Sequence, residues 1–220
     1  MAEAISGKKS IVQLILVPSL ITLAITVLRV EGELHHWGAS WFSNSAGGGG
    51  AFVGISWLPI IFGPYFAMKL AGWGEGPSSY SKAFATTLGG LAAMVLGGFV
   101  LFKSGNSVAL AILGFVLTLV AAFIARTGWR SLGSTLIAYA FAARIPVLIV
   151  MFFAMSGGWG THYDAVEARF ATAPLWSKFF YEAFLPQMML WIGYTVVVGS
   201  LFGEIVAAIF ARKPVVQPAT

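Results

Sequence analysis

The sequence predicts an all-α polytopic membrane protein: six transmembrane helices in one bundle, an outer interfacial amphipathic helix, and a division into two inverted three-helix repeats. Three observations carry this. Hydrophobic residues make up 58% of the 220-residue chain and charged ones only 10%, with a mean hydropathy of +0.86, outside the range of soluble domains. Six apolar runs, about 11–30, 52–71, 83–102, 107–125, 133–156 and 187–211, each suit a hydrocarbon layer about 30 Å thick at about 1.5 Å per residue. Basic residues sort between alternate connections. The whole of 1–220 reads as a single transmembrane domain.

The first run follows Lys8 and Lys9, as a signal peptide's core would. It is about twice the length of such a core, and Leu28-Arg29-Val30-Glu31 offers no small-residue cleavage site, so an uncleaved helix is expected. Pro18 should kink it. A polar outer loop follows, from Glu31 to Ala51, with His35, His36, Trp37 and Trp41, closing in Gly47-Gly48-Gly49-Gly50 as a flexible tether. The second run carries Pro59, Gly63 and Pro64 within six residues. A helix broken there would expose backbone groups to a midplane site, as in many transporters; neighbouring helices could equally satisfy those groups. In the third run Ala85, Gly89, Ala93 and Gly97 recur every four residues, a smooth stripe for close packing within the bundle or in a homodimer. Lys103 to Asn106 is a tight turn that makes the third and fourth helices antiparallel neighbours. Between the fifth and sixth runs, Pro174 opens a segment with Trp176, Phe179, Phe180, Ala183 and Phe184 on one face and Lys178 and Glu182 on another. That pattern predicts an amphipathic helix at about 174–185, lying in the outer interface.

With a cytoplasmic N-terminus, Lys8, Lys9, Lys69, Lys82, Arg126, Arg130, Arg212 and Lys213 fall inside, and Arg29, Lys103, Arg169 and Lys178 outside. This positive-inside excess predicts a plasma or inner membrane protein with both termini cytoplasmic. It also accounts for the net charge of +5 through topology and anionic lipid headgroups, with no nucleic-acid partner. The chain has no cysteine, which excludes disulfides, thiolate metal sites and a cysteine nucleophile.

Leu58-Pro59-Ile60-Ile61 and Tyr65-Phe66-Ala67-Met68 recur as Ile145-Pro146-Val147-Leu148 and Phe152-Phe153-Ala154-Met155, always 87 residues on. On the predicted topology the two copies run in opposite directions, the basis for the inverted repeat.

Two ionisable residues sit inside runs, Arg144 in the fifth and Glu204 in the sixth. Counted from the inner ends of those runs their depths nearly match, so each is expected to neutralise the other, as a structural lock or as a working site. His35, His36, His162, Asp164 and Glu167 fall in the outer loops. Convergence would make an outer-face metal site, although their spacing matches no metalloenzyme signature. No phosphate loop, dinucleotide fingerprint or nucleophile elbow occurs, and no cofactor is implied. The expected function is that of a small transporter or channel for a small solute or ion, with no catalytic residues. The alternatives are an accessory or scaffold subunit of a membrane complex, or a membrane enzyme built on the outer histidines.

Overall fold

The computed structural model describes residues 10–48 and 50–211. Gly49, the charges Glu3, Lys8, Lys9, Arg212 and Lys213, and the ends they belong to lie outside the described residues. The described chain is all-helical, with six principal helices: α1 Ile11–Leu34, α2 Leu58–Gly72, α3 Tyr80–Lys103, α4 Val108–Arg126, α5 Arg130–Gly157 and α6 Leu175–Phe210. Serine side chains start three of them: Ser10, Ser79 and Ser107 accept from the backbone N–H of Val12, Lys82 and Leu110, occupying donors that the first helical turn leaves free. Gly158, in the left-handed region at φ 62°, stops α5.

Five of the six are long and apolar enough to cross a membrane. Helix α2 is the exception, at 15 residues. Its expected first turns, residues 52–57, are non-helical, and Phe52 and Val53 donate instead to the Ser40 and Trp41 carbonyls at 3.1 and 3.2 Å. Pro59 therefore opens α2 rather than breaking it, in the first turn where a missing N–H costs nothing. The predicted interfacial helix is also not a separate element. Residues 175–210 form one 36-residue helix, π-wound at Phe179–Phe184 and Pro186–Leu190. Phe152 of α5 holds its first part, with ring centroids 5.5 Å from Trp176 and 5.4 Å from Phe179. Those rings, expected to face lipid, are partly spent on the bundle.

Connections alternate between two ends. At one, Asn44 donates to the Gly160 carbonyl at 2.6 Å and Arg169 to the Gly105 carbonyl, joining the 35–57, 104–107 and 158–174 connections. At the other, Trp129 Nε1 and Ser131 Oγ donate to the Glu75 carbonyl at 2.7 and 2.8 Å.

Glycine sets the closest helix approaches. A Cβ at Gly63 would run into the Gly199 carbonyl, and one at Gly203 would lie 2.8 Å from the Gly63 carbonyl oxygen, so α2 and α6 touch backbone to backbone. The buried residues of α3 are Ala83, Thr87, Gly90 and Gly97; Gly90 and Gly97 meet α4, and Thr87 reaches Glu204 of α6. Of the predicted stripe, Gly97 meets Gly114 and Thr118 of α4 and Ala93 is half-buried, but Ala85 and Gly89 are exposed. A strict four-residue row drifts around a helix with 3.6 residues per turn. The 4-3 spacing of the buried set keeps to one side, as left-handed packing requires.

Outward faces are apolar: Val12, Leu16, Val17, Leu20, Val95, Phe99 and Phe102 are all exposed. Inward faces are comparatively polar, as in a bundle whose solvent is lipid.

Candidate functional site

The buried side of α1 carries Thr22, Thr26, Arg29 and Glu33, spaced 4-3-4 along one face of an otherwise apolar helix. Thr22 Oγ1 lies 2.8 Å from Tyr139 Oη on α5. Toward the loops the stripe becomes ionic. Arg29 Nε donates to Glu33 Oε1 at 2.7 Å, and its two other nitrogens donate to the carbonyls of Val53, Ser43 and Gly48 at 2.8, 3.3 and 3.0 Å. Glu33 is fully buried and also accepts from the His162 backbone N–H at 2.9 Å, with His162 Nδ1 at 2.7 Å. The carboxylate thus ties the end of α1 to the 158–174 loop, and Arg29 ties it to the 35–57 loop. A charge of each sign, well hydrogen-bonded, is what allows such a group to sit away from water.

Asp164 shapes the loop that delivers His162, accepting from the N–H of Gly160 and Thr161 and from Thr161 Oγ1 at 2.9, 2.7 and 2.7 Å. Burial holds the His162 imidazole below its ordinary value, with the Glu33 hydrogen bond pulling the other way; a neutral ring donating Nδ1–H to the carboxylate fits both. Burial pushes the Tyr163 phenol up, keeping it un-ionised.

Below this network a cavity of about 360 Å³ runs into the bundle between α1, α5 and α6, at the small end of the range for sites that hold organic ligands. Gly47, Gly48, Glu167 and Glu182 line it toward the loops. Ile25, Ile55, Val147 and Met151 form apolar wall, and Arg144 and Trp191 line it within the bundle. Arg144, near the middle of α5, is 4% exposed. Its guanidinium carbon stands 4.5 Å from the centre of the Trp191 ring, and Nη1 donates to Gln187 Oε1 at 3.3 Å. Nε has no partner among the described residues.

Arg144 and Glu204 do not meet. Glu204, also fully buried, accepts from Thr87 Oγ1 of α3 at 2.8 Å, and its second oxygen has no partner among the described residues. Gln187 and Trp191, which do reach Arg144, precede Glu204 by 17 and 13 residues, placing Glu204 about 20 Å farther along α6. Depths counted from the inner ends of hydropathy runs missed this, because α5 begins at Arg130, ahead of its run, and α6 ends at Phe210, which puts Arg144 14 residues after Arg130 and Glu204 only 6 residues before Phe210.

The histidines do not converge either, and among the described residues no three His, Cys, Asp or Glu side chains gather as metal ligands. His35 pairs with Glu31 at 3.4 Å on the surface, His36 occupies the left-handed region at φ 52°, and Glu167 pairs with Arg169 at 2.8 Å. Pro59, Gly63 and Pro64 are not among the residues lining the cavity. Sequence reasoning placed Arg29 and Glu33 in or beside an exposed loop; α1 runs on to Leu34 and buries both. The signal was their i,i+4 spacing of opposite charges at a helix end. Gln187 and Trp191 carried no comparable mark.

Comparison with protein-family models, curated proteins and solved structures finds no match for this chain.

Proposed function

We propose that this chain is a non-enzymatic, transporter-like membrane protein that admits a small solute into the bundle from the end bearing the long loops. The observation that carries the reading is the cavity between α1, α5 and α6, lined by loop backbone at one extreme and by the buried Arg144 at the other. A charge held this far from water inside a membrane bundle, beside a cavity, is the usual mark of a solute or ion path. The 87-residue recurrence of Leu58-Pro59 as Ile145-Pro146 supports the inverted-repeat construction common in transporters, with α2 as the sixth span. The positive-inside pattern supports a plasma or inner membrane location, cytoplasmic termini, and Lys69, Lys82, Arg126 and Arg130 near anionic headgroups.

A scaffold subunit is the second reading, favoured by the short 73–79, 104–107 and 127–129 connections and by the exposed small residues Ala85 and Gly89 on α3, a face open to a second copy or a partner helix. Purification in mild detergent and reconstitution separate the two. A scaffold brings stoichiometric partners. A transporter purifies alone, and its liposomes recover volume faster than protein-free ones after hyperosmotic glycerol, sodium acetate or sodium butyrate. Recovery identical to protein-free liposomes for all three would overturn the transport reading.

A further inference from the structure

Arg144 and Arg29 line the same cavity and are bound in opposite ways. Arg29 has all three nitrogens engaged, its Nε on a carboxylate and its other nitrogens on three carbonyls. Arg144 makes one long hydrogen bond, through Nη1 to a neutral amide, and among the described residues no carboxylate lies within ion-pair distance of it. A guanidinium has five N–H donors. Those on Nε and Nη2 point side by side along one edge, the geometry that matches both oxygens of a carboxylate, and that edge has no hydrogen-bond partner among the described residues. Trp191 covers a face of the group, and Gln187 holds the opposite edge, so the cation is oriented before any ligand arrives. Burying a cation without a counter-charge is unfavourable, and a bound anion would offset that.

The rest of the lining narrows the class. Ile25, Ile55, Val147 and Met151 are wall for a short apolar body. Glu167 and Glu182 line the same cavity, the Glu167 N–H directed at Glu182 Oε2 at 3.5 Å; Glu167 is solvent-exposed and pairs with Arg169, whereas Glu182 makes no ion pair among the described residues, so net negative charge remains where the two line the cavity. A second negative charge on the ligand would meet them and be repelled. We propose that the cavity binds a small monocarboxylate, its carboxylate on the Nε–Nη2 edge of Arg144 and its apolar chain along Val147 and Met151. The inference rests on the cavity's being a solute site, and adds the chemistry of the solute.

Titration of the purified, detergent-solubilised full chain with sodium butyrate, disodium succinate and sodium chloride at matched ionic strength, read by tryptophan fluorescence and by thermal unfolding, tests it. Butyrate is expected to bind, succinate at least tenfold more weakly, and chloride not at all. Arg144→Gln should weaken butyrate at least tenfold while leaving the fold intact. If that variant does not fold, Met151→Phe, which narrows the wall and keeps Arg144, should weaken butyrate more than acetate. Equal binding of butyrate and succinate, no response to butyrate, or undiminished butyrate binding by Arg144→Gln would each overturn the proposal. Butyrate that binds, in a protein whose proteoliposomes pass none of butyrate, acetate and glycerol, leaves the site standing and removes the transport reading. Transport of glycerol unaffected by Arg144→Gln, with no butyrate binding, does the reverse.

Discussion

Glu33 is the residue on which the loop-bearing end depends, because one carboxylate holds Arg29 and His162 together. Replacing His162 with Ala removes the ring Nδ1 contact to Glu33 while keeping the backbone one, and should cost about 1–3 kcal/mol of stability, measured by thermal unfolding in detergent. The pH dependence has a definite sign. Burial keeps the folded imidazole below its ordinary value of 6.5, so the unfolded chain takes up the proton first. This contribution is full above about pH 6.5 and is lost as the pH falls through the lowered folded value. The stability difference between wild type and His162→Ala should therefore shrink between about pH 7 and pH 5; a difference that grew would mean that the folded ring is the better proton acceptor. Arg144 and Glu204, having no shared partner, should behave independently. Arg144→Met and Glu204→Gln should sum in the double variant to within about 0.5 kcal/mol, whereas a direct pair would show coupling of several times that.

Among the elements, the α2–α6 crossing has little slack. Gly63→Ala forces a methyl group against the Gly199 backbone, which cannot swing aside as a side chain can, and should cost about 1–3 kcal/mol or more. Gly98 on α3 has nothing within 4 Å of its would-be Cβ, so Gly98→Ala should be neutral or stabilising by up to about 1 kcal/mol through helix propensity. Melting temperatures of the two variants side by side check the contrast; equal effects would mean that α2 and α6 can separate. The helices themselves were legible from hydropathy, and α1, α3, α4 and α5 lie where the apolar runs put them. What hydropathy could not show was how each helix starts and stops. Pro59 reads as a break until the turn before it is seen to be non-helical. The aromatic face of 174–185 reads as an interfacial helix until Phe152 is seen to occupy part of it. Small-residue spacing pointed to α3 as a packing helix and to Gly97 and Ala93 on its packed side, but the row runs out to the exposed Ala85 and Gly89, because periodicity of four and of three and a half differ only over several turns.

At the scale of the whole molecule, alternation of the connections sorts sites into two groups. The chain has no cysteine, so any introduced one is a unique label. Ser45, Ser78 and Thr172 are all exposed. In intact cells, cysteines at 45 and 172 should react together with an impermeant maleimide, and one at 78 only after permeabilisation. Labelling of 45 and 172 from opposite sides would break the alternation, and labelling of 78 alone would invert it. Of the candidate site, the sequence disclosed Arg144 as the residue to explain but not its surroundings. Its partner Gln187 is a neutral side chain 43 residues away, and nothing local marks such a pairing.

That separation bears on how the chain is made. Arg29 and Glu33 are one turn apart on the same helix, so α1 can enter the bilayer with its charges already cancelled. Arg144 emerges on α5 while both groups that hold it, Gln187 and Trp191, belong to the last helix. At about 5–20 residues per second, the ribosome needs roughly 2–9 s to supply them, and for that interval α5 carries a bare guanidinium into lipid or its insertion machinery. A chain truncated after Pro174 should be degraded faster than the full chain in pulse-chase labelling, and Arg144→Leu should lengthen the lifetime of the truncated form alone. If it lengthens neither, α5 tolerates its charge without α6, and the last helix is not what completes the membrane insertion of the fifth.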